Sequence, residues 1–123
     1  MTAEYVLDRP TALSCPECNG TLKPERVGTL LQYRCHIGHV LTAETMLVVM
    51  LHEIEGKLAA CLALLNEHME LCRQIGEQGP EDGKFKASLD AAIRQARERA
   101  EMVKEMLESE WVQPAQFWET SET

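Results

Sequence analysis

This sequence is short of basic residues and shows no basic face. Twelve Lys and Arg stand against twenty Asp and Glu, for a formal net charge of -8. Proteins that hold nucleic acid or anionic membrane draw much of their affinity from neutralised phosphates, so this balance points to protein partners instead. The deficit is uneven: residues 1–42 carry four acids and four bases, and the whole acidic surplus lies beyond them. Aromatic residues make up only 5%, while Leu, Ala, Met and Glu are plentiful, a bias toward helix over strand. No apolar run approaches the roughly 18–20 residues that a bilayer span requires. Met1–Pro10 carries Glu4, Asp8 and Arg9 and no apolar segment of signal-peptide type. The expectation is a cytoplasmic chain whose five cysteines stay reduced unless a metal takes them. Catalytic signatures are also missing. There is no nucleophile elbow, no phosphate-binding glycine loop and no His-Glu-x-x-His pair, and Ser14 and Ser88 lack the context of a triad.

What is present divides by punctuation. Residues 1–10 read as an extended leader or tether. Residues 11–42 are dense in breakers (Pro16, Gly20, Pro24, Gly28, Gly38), and the β-prone pieces between them, Leu22–Val27 and Leu30–Arg34, predict an antiparallel hairpin turning near Gly28–Thr29. Thr42 reads as a helix N-cap, with Glu44 in the first turn where a carboxylate suits the helix dipole. No proline lies between Pro24 and Pro80, and a helix of about 50 Å is predicted over 43–77. Its seam is predicted at Leu47, Leu51, Ile54, Leu58, Cys61, Leu65, His68, Cys72 and Ile75, spaced 4-3 throughout with His68 as the polar member. Gly76–Gly83 reads as a loop. A second helix over 84–112 repeats the pattern with Leu89, Ile93, Ala96, Ala100, Val103 and Leu107, the alanines allowing close approach. Pro114 ends or kinks it, leaving 114–123 as a C-terminal tail.

The strongest pattern is Cys-x2-Cys-x16-Cys-x3-His, formed by Cys15, Cys18, Cys35 and His39. Cys15 and Cys18 bracket one tight turn, Cys35 and His39 a second. Two such turns at the ends of a hairpin bring three thiolates and an imidazole to one tetrahedral point, a donor set that selects zinc. His36 is the alternative fourth ligand, but a ligand adjacent to Cys35 would strain the turn, so His39 is preferred and His36 is assigned beside the ligands or at the surface. Four protein ligands leave no open position for substrate, and a fragment this small needs a staple to fold, so one structural zinc is expected and a catalytic one is not. A hydrolytic site would require a missing ligand, with Glu17 or Glu25 as base. Cys61 and Cys72 lie eleven residues apart on one helix, too far for a disulfide, and are expected to pack in the core. His52 and His68 have no Cys or His partner one helical turn away, and His68 is expected to be buried on the seam.

The predicted fold class is therefore small α+β: an N-terminal zinc-ribbon-like β-hairpin over 11–42, followed by a long antiparallel α-helical hairpin over 43–113. Met46, Met50, Leu62, Met69, Met102 and Met106 fall outside the seams and need another surface. The ribbon could cover one end, and dimerisation into a four-helix bundle would cover the rest.

"DRPTALSCPECNGTL", "QYRCHIGHVLTAETML" and the Leu/Ala/Glu-rich helix after them resemble, over about residues 6–107, the C-terminal extension of bacterial chemotaxis-type protein-glutamate methylesterases (CheB-like proteins). That resemblance implies a zinc-ribbon-like site at Cys15, Cys18, Cys35 and His39 and a chemotaxis-like or two-component signalling context. It implies no esterase activity, because the family's hydrolase and receiver domains have no counterpart here. Trp118-Glu119-Thr120 resembles the core of the pentapeptide by which chemoreceptors tether their methylation enzymes, although Ser121-Glu122-Thr123 follows in place of a terminal aromatic residue. The expected function is a non-enzymatic, zinc-binding interaction module. Its expected partner is a methylesterase, a response regulator, a histidine kinase or a second copy of itself, with neither nucleic acid nor membrane. The alternative is a nucleic-acid-binding or transcription-accessory zinc ribbon, for which Arg26, Tyr33 and Arg34 are the visible seeds.

Overall fold

A computed structural model describes residues 4–119, and side chains as far as Phe117. The chain forms two compact units that divide between Met50 and Leu51. The N-terminal unit is a four-stranded antiparallel meander in the order β1-β2-β3-β4. Its strands are β1 (Leu13–Ser14), β2 (Thr21–Val27), β3 (Leu30–Cys35) and β4 (Val40–Thr42). The predicted hairpin is its centre: Val27 pairs with Leu30 across Gly28–Thr29, and Leu22 pairs with Cys35. Gly28 has φ +66°, the left-handed value that the first position of a tight two-residue hairpin turn demands. Pro24, which cannot donate to a ladder, sits in β2 beyond the two residues that pair with β1, so no neighbour on that side is deprived of a partner. β1 and β4 extend the hairpin into a sheet that the sequence did not announce. Each is too short to show a period of its own.

The core of this unit is very small. Its buried residues are Cys15, Leu22, Cys35 and Met46, with Leu13, Cys18, Tyr33 and Leu41 packed against them. Met46 comes from the first turns of α1 (Ala43–Gln78). Thr42 caps that helix as expected, its Oγ1 accepting from the Thr45 N–H at 3.1 Å. Met46, which falls outside the helix seam and needs another surface, finds it in this core, where it is 3% exposed.

In the second unit α1 packs on α2 (Gly83–Glu108). Met69, Ala96 and Ala100 are buried, and Leu62, Leu65 and Ile93 pack against them. A Cβ on Gly76 would meet Leu89 at 3.6 Å, while Leu62 shares a groove with Lys104, so the helices run antiparallel. Every predicted seam position of α2, from Leu89 to Leu107, faces inward at least in part. On α1 only every second one does. Leu51, Leu58, Leu65 and Cys72 are covered, but Ile54, Cys61, His68 and Ile75 are exposed, and their places are taken by Glu55, Leu62, Met69 and Gly76. Both frames fit a 4-3 rhythm, and they differ by one residue, about 100° of rotation. Small Ala96 and Ala100 on α2 admit the long Met69 side chain, and that choice belongs to the partner helix.

The predicted loop at Gly76–Gly83 is shorter than expected, because α1 continues to Gln78 and Asp82 already caps α2, accepting from the Lys84 N–H at 3.1 Å. α2 also ends sooner than predicted, at Glu108. There Ser109 turns extended and donates its N–H to the Glu105 carbonyl, and Trp111 Nε1 donates to the Met106 carbonyl at 2.9 Å. Pro114 opens a further short helix, α3 (Pro114–Glu119), at the first helical position where its missing N–H costs nothing. The tether reading of Trp118-Glu119-Thr120 falls outside the residues whose side chains are described. Among the described residues no helix is long and apolar enough to cross a membrane.

Candidate metal centre

Cys15 and Cys18 stand at the link between β1 and β2, and Cys35 and His39 at the link between β3 and β4. The first turn closes through two short backbone bonds. The Asn19 N–H donates to the Cys15 carbonyl and the Cys15 N–H to the Gly20 carbonyl, both at 2.7 Å. Asn19 takes the left-handed conformation, φ 62°, which Asn tolerates better than most residues. The second turn closes the same way. The Cys35 N–H donates to the His39 carbonyl, the Gly38 N–H donates to the Cys35 carbonyl, and Gly38 takes φ +111°. Because β2 and β3 pair Leu22 with Cys35, both turns arrive at the same end of the sheet.

The ligand atoms of Cys15, Cys18, Cys35 and His39 all lie within 4.8 Å of one another. The Cys18 and Cys35 sulfurs are 3.7 Å apart, and His39 Nδ1 lies 3.3 Å from Cys35 Sγ and 3.6 Å from Cys15 Sγ. A tetrahedral ion with metal–sulfur bonds of about 2.3 Å and metal–nitrogen bonds of about 2.05 Å would have S···S edges of about 3.8 Å and S···N edges of about 3.6 Å. The three distances in the structure are close to those edges, and the four groups lie near enough to one another to hold a metal ion.

Backbone dipoles prepare two of the three sulfurs for that role. Burial pushes the Cys35 thiol up. The backbone N–H groups of His39, Ile37 and Gly38, with the Cys18 side chain, outweigh it and bring the thiol down to about 6. Burial raises Cys15 as well, but the N–H groups of Cys18 and Glu17 and the side chains of Cys18 and His39 lower it further. For Cys18 the Gly20 N–H lowers the thiol, while burial and the adjacent Cys15 and Cys35 sulfurs prevail and leave it raised. The Cys35 and Cys15 sulfurs, against the opposing effect of burial and with help from Glu17, raise the His39 imidazole.

Three further residues shape the site that spacing alone did not single out in these roles. Glu17 Oε2 lies 3.2 Å from His39 Nε2, so a carboxylate holds the ring from the side opposite the sulfurs. This is the arrangement by which metal-bound histidines are oriented and their tautomer set. Glu17 therefore stands where an orienting carboxylate would. His36 is exposed and its ring lies across Gly20. A Cβ there would come within 2.7 Å of His36 Cε1 and 2.9 Å of His36 Nδ1, so glycine is needed at 20 to seat a ring, while Asn19 makes the turn. A carboxylate in the Cys-x2-Cys turn and a small residue after it are the signals that could have found these contacts.

Of the other singled-out residues, Cys72 is buried but Cys61 and His68 are exposed, and His68 makes only a 3.9 Å contact from Nε2 to Cys72 Sγ. Among the seeds of a basic face, Arg34 is committed to Glu25 at 3.1 Å, with Gln32 on the same carboxylate. Compared with known proteins, the chain matches no family, no curated protein and no solved structure.

Proposed function

We propose that this chain is a non-enzymatic interaction module in which one structural zinc ion folds a ribbon-like sheet and the helical hairpin provides the working surface. The observation that carries the reading is the make-up of the N-terminal core: two of its four buried residues, Cys15 and Cys35, are also two of the four candidate ligands. Apart from the candidate ligands, Leu22 and Met46 are the buried side chains of that core among the described residues, with Leu13, Tyr33 and Leu41 only partly buried against them. That is far too little to offset the entropy of ordering some thirty residues at about 1–2 kcal/mol each. Structural zinc in small peptides supplies roughly 10–16 kcal/mol. Four protein donors also occupy every position of a tetrahedral ion, which suits a staple better than a catalyst.

For a partner we propose a signalling protein of the chemotaxis or two-component type, supported by the resemblance of the Cys-Pro-Glu-Cys and Arg-Cys-His-Ile-Gly-His segments and by the acidic helices. Metal analysis of the purified chain tests the first part. One zinc per chain is expected, retained in His36→Ala and lost in Cys15→Ser, Cys18→Ser or Cys35→Ser, with chelation abolishing the sheet while the helical signal persists. Zinc that leaves without structural change would overturn the staple. Titration against a methylesterase, a response regulator and a histidine kinase tests the second part, and no binding to any of the three would remove it.

A further inference from the structure

Helix α1 carries a second seam. Ile54, Lys57, Cys61, Leu64, His68 and Leu71 follow a 3-4-3-4-3 rhythm on a face rotated about 100° from the one that meets α2. This face is open: Ile54 is 40% exposed, Leu64 65% and Leu71 54%, and Cys61 and His68 are exposed with them. A heptad seam is costly to leave in water and has one geometry of partner, another helix laid along it.

We infer that the partner is α1 of a second copy, antiparallel about a two-fold axis that passes between Leu62 and Ala63. The stripe is symmetric about that point, so a self-complementary two-fold contact matches Ile54 with Leu71, Lys57 with His68, and Cys61 with Leu64, each in both directions. The charges select the direction. A parallel, in-register pair would set Lys57 against Lys57 and His68 against His68 on the buried seam. The antiparallel pair separates the two lysines and brings each beside Glu67 of the other copy. At the flanking positions it opposes Glu53 to Gln74 and Ala60 to Glu67, so no like charges meet there. Lys57 is held by Glu53 at 2.9 Å with its side chain 79% exposed, and that surface pair exchanges for the intermolecular one at little cost. The e positions of this seam, Leu51, Leu58, Leu65 and Cys72, are the residues α1 turns toward its own α2, so one helix serves two contacts and two copies make a four-helix assembly.

This inference rests on reading the hairpin as the working surface, and one experiment separates the two. Sedimentation equilibrium on the zinc-analysed full chain at tens of micromolar is expected to give twice the 13.9 kDa chain mass. Leu64→Glu and Leu71→Glu, both at exposed positions, are each expected to weaken association at least about 10-fold by burying an unpaired carboxylate. Helix content should not change. A short bis-maleimide should bridge an Ile54→Cys chain to a Leu71→Cys chain, each carrying Cys61→Ser, but not Ile54→Cys chains to one another. A zinc-loaded monomer at these concentrations would overturn the inference, and bridging among Ile54→Cys chains would overturn the antiparallel register. A dimer without zinc would instead count against the structural-metal reading alone.

Discussion

Whether α1 turns Met69 or His68 toward its partner helix decides the packing of the whole hairpin, and a pair of alanine substitutions reads it directly. Met69 is 7% exposed and lies against Ala96 and Ala100, with Leu62, Leu65 and Ile93 around it. Truncating a buried methionine costs roughly 2–5 kcal/mol, less where the site can collapse or admit water. The groove beside Met69 is lined by Asn66, Glu70, Arg73 and Glu101 as well as by apolar groups, so water can relieve part of the void. Met69→Ala is therefore placed at the low end, roughly 2–3 kcal/mol, and lowers the melting temperature by roughly 10 °C in a chain of this size. His68→Ala removes an exposed ring whose one contact is a long approach to a sulfur, and it should stay within about 0.5 kcal/mol. The assay is thermal unfolding followed by circular dichroism at the helical band. It is best run in the Leu64→Glu background, so that association does not contribute. Equal losses, or a larger loss for His68→Ala, would show that the helix is rotated by one residue and that the reasoning fails.

Three other outcomes follow from the metal centre. Glu17→Gln keeps the fold but weakens zinc affinity about 10–100-fold, read by competition with a chromophoric chelator, because His39 loses the carboxylate that orients it. Unchanged affinity would mean that Glu17 is a bystander. Gly20→Ala displaces the His36 ring, seen as a changed histidine resonance, and presses on Cys18 Sγ at 3.3 Å, so zinc affinity falls while stoichiometry stays at one; an unmoved His36 resonance would refute the contact. The folded site holds Cys35 down at about 6, below its ordinary 9.0, so protons compete with zinc for this sulfur only as pH falls through about 6. Cys18 is raised and still protonated at neutral pH, so zinc must displace its proton. Zinc affinity should thus rise with pH through neutrality, and calorimetry in buffers of different ionisation enthalpy should detect the released protons.

The sequence by itself determined the parts of this protein that depend on covalent spacing. Two Cys/His turns joined by a hairpin of sixteen residues have few ways to close, so spacing alone groups Cys15, Cys18, Cys35 and His39, and they come together in space. Thr42 as a cap and the turn at Gly28 were legible for the same reason: each rests on a contact or a dihedral within a few residues. The tertiary structure decided what needed a distant partner. Periodicity allowed α1 two frames one residue apart, and only the alanine face of α2 could choose Leu62 and Met69 over Cys61 and His68. Met46 joined the sheet core because a cap at Thr42 aims the first turn of α1 at Cys15 and Cys35. Glu17 and His36 acquired their partners, His39 and Gly20, from across the sheet end. Local chemistry is written in neighbouring letters, whereas the rotation of a helix is set by whatever surface it meets.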